Sequence, residues 1–99
     1  MFLGKVIGTV WSTKKDEKLV GAKFLIVKKM DLELKEKNDF VIAVDSVGAG
    51  EGEIVLVATG SSSRQTHITQ DKPVDAVIMA IVDKLDVGNW ITYIENEEK

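Results

Sequence analysis

Asp45-Ser46-Val47-Gly48-Ala49-Gly50-Glu51-Gly52-Glu53-Ile54-Val55-Leu56-Val57-Ala58-Thr59-Gly60-Ser61-Ser62-Ser63-Arg64 is the stretch from which the rest of the sequence is best read. Two β-branched apolar runs, 40–47 and 54–58, are joined by a turn with glycine at every second position, 48, 50 and 52. Gly60 then opens a serine run that ends in Arg64. Glycine at alternating positions calls for positive φ or for very close approach of another backbone. No nucleophile, metal set or cofactor fingerprint accompanies it. The turn therefore reads as built for packing, and the protein as a building block rather than a catalyst.

Towards the N-terminus, residues 2–11 alternate as a strand, with Phe2, Gly4, Val6, Gly8 and Val10 on one face and Leu3, Lys5, Ile7, Thr9 and Trp11 on the other. Two glycines on one face suit the tight coiling of a small barrel. Lys14 to Lys18 is a charged turn, residues 22–30 form a second strand, and Asp31 to Asp39 reads as a solvated loop. Towards the C-terminus, residues 74–85 carry two signals. Val74, Val77, Ile78, Ile81, Val82 and Leu85 fall at helical spacing, yet 76–82 is continuously apolar, rich in Val and Ile, and follows Pro73. Periodicity alone favours a helix. A barrel with four strands upstream needs a fifth to close, and on that ground a strand is expected. Trp90 to Ile94 is a short β-like run, and the tail, 94–99, is expected to fray.

Ninety-nine residues make one domain, 1–99, with a single core in a small barrel or sandwich. There is no cysteine, hence no disulfide frame and no thiolate metal site. Lys5, Gly4 and Gly8 interrupt the N-terminal apolar stretch, so it lacks the layout of a signal peptide. No apolar run approaches the ~20 residues that a membrane helix needs. A cytosolic protein without a membrane partner is expected. Thirteen basic residues against sixteen acidic ones give a net charge of −3, the wrong sign for a nucleic-acid binder. The aromatics are too scattered to form a stacking platform for single strands.

Three features of the sequence bear on chemistry. Thr59 to Arg64 offers glycine, hydroxyls and a cation after a strand, but it lacks Walker spacing and reads as a strand exit into a short helical turn capped by serine hydroxyls. His67, the single histidine, shows no orienting acid or nucleophile nearby in sequence and reads as a surface or interface residue. Glu51 and Glu53 form a carboxylate pair without the further ligands a metal needs, so an ion pair or backbone cap is the expected role. The pairs Lys14-Lys15 and Lys28-Lys29 read as solvated surface. No catalytic residue, cofactor or metal is assigned. A different property carries function: the strands at 24–27, 40–44 and 54–57 are apolar on both faces. Without helices to cover a barrel's outside, self-association is the cheapest way to bury it.

The sequence resembles the EutN/CcmL family of bacterial microcompartment vertex proteins over nearly its whole length. The resemblance rests on residues 3–10 (Leu-Gly-Lys-Val-Ile-Gly-Thr-Val), 19–27 (Leu-Val-Gly-Ala-Lys-Phe-Leu-Ile-Val) and 43–53 through the glycine turn. It continues with Val55-Leu56-Val57, Gly60 to Arg64, Pro73 to Ala76, and Ile81-Val82-Asp83. Ser63 stands where the family more often has alanine, and Phe24 where leucine is usual. The resemblance implies an all-β, OB-like five-stranded barrel with a short helical turn, assembling as a ring. The expected partners are four further copies, giving a homopentamer, and hexameric shell proteins, with pentamers plugging the five-fold vertices of the shell in the cytoplasm. Gly48, Ala49, Gly50, Glu51, Gly52, Glu53, Gly60, Ser61, Ser62, Ser63 and Arg64 are the candidates for subunit contacts or for an axial opening, and Glu53 and Arg64 for an ion pair within or between subunits. The competing reading is an OB-type binding module for nucleic acid or oligosaccharide, which charge and aromatic content oppose.

Overall fold

Leu25, Val27 and Ala43 are almost wholly buried, whereas Ile42, the neighbour of Ala43 along the chain, is 39% exposed, and this alternation sets which way each strand faces. The computed structural model describes residues 1–67, 69–70, 74–88 and 90–94. In chain order the elements are β1 (Phe2–Val10), a 3-10 turn (Glu17–Leu19), β2 (Phe24–Met30), β3 (Glu36–Asp45), β4 (Ile54–Thr59), a second 3-10 turn (Gly60–Arg64), β5 (Ala76–Ile81), β6 (Lys84–Val87) and β7 (Trp90–Tyr93). Strands β1 to β5 close a barrel in the order β1-β2-β3-β5-β4, with β4 paired back to β1. All pairings in it are antiparallel except β3 with β5, which meet in parallel at Val44–Val77 and Asp45–Ile78. Closure leaves no free barrel edge. The expected five-stranded, all-β barrel is present.

Val6, Leu25, Val27, Ala43, Val55, Val57, Ala76 and Ile78 fill the interior. At Gly4 the barrel wall is tightest: a Cβ there would strike the Val27 side chain and come within 3.0 Å of the Lys28 carbonyl oxygen. Glycine is thus the residue that lets β1 and β2 approach. The pairing of β1 with β2 slips between Val6 and Gly8, a bulge that adds curvature.

The ambiguous run resolves as strand. Ala76 and Ile78 enter the barrel, while Val77 points outward into a second cluster with Val44, Ala58 and Val74, covered by Leu19, Ala22 and Phe24. Both faces of β5 are buried over Ala76 to Ile78, which explains a continuous apolar run whose helical spacing is incidental. Pro73, which precedes it, and residues 95–99 of the tail expected to fray lie outside the described residues.

Two expectations need correction. The loop read over 31–39 ends at Lys35, because β3 begins at Glu36 and extends the β2–β3 ribbon with charged residues. Residues 36–39 are exposed, so no apolar alternation marked them. Lys29 bonds Asp39 across the ribbon at 3.1 Å and lies 4.8 Å from the Phe2 ring centroid, so it has two partners where bare solvation was expected. In the remaining turn Asp31 accepts the backbone N–H of Glu33 at 2.8 Å and of Lys35 at 3.0 Å. The Lys35 bond foremost, with the Glu33 bond and the Lys35 and Lys37 charges, lowers the Asp31 pKa.

The second correction concerns the C-terminal part. β5 stops at Ile81, and β6 with β7 forms a separate two-stranded hairpin. Its base is tied to the barrel by Leu85 and Ile94, which pack on a third cluster with Met30, Ile54, Val82, Leu3 and Leu56. The molecule measures 47 × 25 × 25 Å.

Candidate assembly site

Asp45, the last residue of β3, organises the glycine turn. Its Oδ1 accepts the backbone N–H groups of Val47 at 3.0 Å, Gly48 at 3.1 Å and Ala49 at 3.2 Å. Such a side-chain cap satisfies donors that no strand partner reaches. Ser46 Oγ donates to the Ile78 carbonyl at 2.5 Å, holding the turn's start against β5. At the other end Glu53 Oε1 accepts the Gly50 N–H at 2.6 Å, while Gly52 N–H reaches the Val6 carbonyl at 2.8 Å and Val6 N–H the Glu53 carbonyl at 3.0 Å. The turn is thereby zipped onto β1. Left-handed backbone is confined to the outer glycines, Gly48 at φ 77° and Gly52 at φ 88°, each with open space around it. Conformation, not crowding, is what these two positions require.

The Gly60–Arg64 turn is held differently. Ser63 is fully buried, and its hydroxyl is shared between the Gly60 carbonyl at 2.6 Å and the Val74 carbonyl at 3.2 Å. Arg64 Nη1 also donates to the Val74 carbonyl, at 3.3 Å, and Gly60 N–H to the Asp75 carbonyl at 2.9 Å. The short helical turn with a serine hydroxyl bonded to its backbone is as expected, and the clamp of Ser63 and Arg64 on the approach to β5 is an addition to it.

The candidates sort by exposure. Ala49 is 1% exposed and belongs to the barrel core, and Ser63 is interior too. Gly48, Glu51, Gly52, Gly60, Ser61 and Arg64 are exposed, Gly50 and Glu53 are half-buried, and Ser62 lies within the second 3-10 turn. The two segments are not brought together. They flank β4, whose six residues span about 20 Å at ~3.3 Å each. Within the chain Glu53 caps Gly50 and Arg64 binds Val74, so the Glu53–Arg64 pair is not formed intramolecularly.

His67 is exposed and lines a cleft of about 390 Å³ with Lys18, Lys23, Asp45 and Thr69. Among the described residues no three of His, Asp and Glu gather as metal ligands would.

The outer wall holds what the glycine motif did not reveal. Two outward apolar clusters are covered by the chain itself, one by the first 3-10 turn with Val74 and the other by the hairpin base. A third is left open: Ile26 and Ile42 are paired across β2 and β3, Phe40 follows opposite Lys28, and Ile7 adjoins from β1. Phe40 is 60% exposed and Ile7 46%. The two-faced strands announced this surface, though not which part would stay bare. The hairpin also exposes Val87, Trp90, Ile91 and Tyr93. Gly88-Asn89 between two short β-forming runs was the available signal for it.

Comparison with known proteins places this architecture. Residues 1–83 match the family described as ethanolamine utilisation protein EutN/carboxysome. The bacterial microcompartment shell vertex protein GrpN of Rhodospirillum rubrum is 46% identical over 89 residues, 90% of this chain and 100% of that protein. Its structure, described as a pentameric microcompartment shell protein, superposes with a TM-score of 0.80 at 47% identity, covering 88% of this chain and 99% of that one. The structure of CcmL from Nostoc sp. PCC 7120 superposes with a TM-score of 0.92 at 41% identity over 96% of this chain and 100% of that one. Matched along its barrel in sequence and along nearly all its length in backbone, the chain belongs to the EutN/CcmL family.

Proposed function

We propose that the protein is a structural shell protein whose pentamers cap the five-fold vertices of a bacterial microcompartment. The observation that carries this reading is the family match over 1–83, with relatives named as shell vertex proteins and one described as pentameric. The bare outer face of β2 and β3 supports it, because an apolar wall of this kind is stable when another subunit covers it. The chain acts as one domain and has no enzymatic role. Its partners are further copies of itself and hexameric shell proteins, and nucleic acid is not among them.

The glycine turn and the serine segment keep their role as candidates for subunit contacts or for the rim of an axial opening. Gly48, Gly50, Glu51, Gly52 and Glu53 would act at one end of β4, and Gly60, Ser61, Ser62 and Arg64 at the other. Ala49 and Ser63 would serve from inside, by fixing the shape of each segment. Lying about 20 Å apart along β4, the two segments would not share one narrow constriction.

Co-expression with a hexameric shell protein tests the vertex role. Closed polyhedral particles are expected when this chain is present, and open sheets or unclosed shells when it is omitted. Particles that close equally well without it would contradict the proposal.

A further inference from the structure

We infer that the β6–β7 hairpin is an arm that lies on the bare β2–β3 face of the next subunit in the ring. The inference rests on the pentameric reading and names the surfaces that would join one copy to the next.

Pairing of Leu85 with Thr92 and of Val87 with Trp90 puts these four residues on one face of the hairpin. Leu85 and the adjoining Ile94 are covered by the chain's own third cluster. Val87 and Trp90 continue the same apolar strip outward, and they are 40% and 42% exposed. The strip is therefore half covered by its own barrel and half uncovered. The opposite hairpin face carries Lys84, Asp86, Ile91 and Tyr93, with Lys84 Nζ 5.9 Å from the Tyr93 ring centroid.

Position in the fold points to a second copy as the occupant. The hairpin base packs on Leu3 of β1, on Met30 at the end of β2, and on Ile54 and Leu56 of β4. The bare face belongs to β2 and β3, which lie across the barrel from β4 in the strand order. A five-fold ring cannot be built from an isologous contact; it needs two different, complementary surfaces, one on each side of the subunit. The hairpin and the β2–β3 face meet that requirement. The family match ends at Asp83, while the superposition on the Nostoc CcmL structure covers 96% of this chain, so the arm follows the matched barrel within the shared backbone.

The absence of cysteine makes a direct test possible. Cysteine is introduced at a donor position (Val87→Cys or Trp90→Cys) together with an acceptor position (Ile26→Cys, Phe40→Cys or Ile42→Cys). Under mild oxidation at least one pair should give a covalent ladder ending at five chains on a denaturing gel, while every single-cysteine variant stays uncrosslinked. Trp90→Glu should raise the concentration at which the pentamer half-dissociates at least tenfold, with the melting of the isolated subunit unchanged. A pentamer by native mass that yields no ladder from any pair, or a covalent dimer from Trp90→Cys alone, would overturn the arm while leaving the vertex reading intact. A chain that is not pentameric at all would overturn both.

Discussion

Gly48 and Gly52, not the central Gly50, carry the left-handed backbone of the glycine turn. A β-branched side chain is strongly disfavoured there, at a cost on the order of 1–3 kcal/mol. Gly52→Val should therefore lower the melting temperature by several degrees, at roughly 4–8 °C per kcal/mol for a domain of this size. Gly50→Val escapes that strain and should cost the subunit less; a larger loss at Gly50 would contradict the assignment. Alternation in the sequence showed that glycine mattered here, but the capping bonds from Asp45 and Glu53, which decide which glycine turns left, are not visible in spacing. The serine run yields a second prediction. Ser63 and Arg64 both donate to the Val74 carbonyl, so each partly stands in for the other. Ser63→Ala alone should cost about 1 kcal/mol or less, in keeping with a single net hydrogen bond. The double variant with Arg64→Ala should cost more than the sum, by at least about 0.5 kcal/mol of coupling. Strict additivity in denaturant unfolding would show that the two do not share the carbonyl.

Among the elements, β1 was legible from its alternation, β2 from a continuous apolar run bounded by charge, and β5 because barrel closure overruled a helical spacing. The start of β3 was not legible: Glu36 to Asp39 pair with β2 through backbone bonds and one ion pair, with no buried face to impose a pattern. Of the hairpin, β7 was legible as the short β-like run from Trp90, but β6 was missed for a related reason, since it is mostly exposed and its sequence blends into the end of β5. Packing at Gly4 gives an element-level prediction. Gly4→Ala should destabilise the barrel by roughly 1–3 kcal/mol, because the added methyl meets Val27 and a backbone oxygen that cannot move freely. An unchanged unfolding midpoint would mean that β1 and β2 can separate without loss. The Asp31 turn has a pH signature of known sign. A carboxylate whose folded pKa is lowered contributes stability that is complete above the unfolded value of about 4 and is lost as pH falls through the folded value. An NMR titration of the Asp31 carboxyl should have its midpoint below the ordinary carboxylate value, with the Glu33 and Lys35 amides exchanging faster once it is protonated. A midpoint at or above the ordinary value would contradict the bonding described.

For the whole molecule, the outside of the barrel is what connects sequence to assembly. Strands apolar on both faces implied an outer surface in need of cover, and among the described residues the fold covers two outward apolar clusters internally. One outer patch left bare, around Ile7, Ile26, Phe40 and Ile42, centres on β2 and β3, and the hairpin carries its own uncovered strip. Such a subunit offers two unlike surfaces, which suits a closed ring. Native mass spectrometry of the untagged chain at micromolar concentration tests this most directly. The account predicts a dominant species of about 55 kDa, five times the 10.9 kDa chain, whereas a stable monomer, or a dimer that does not grow with concentration, would contradict it.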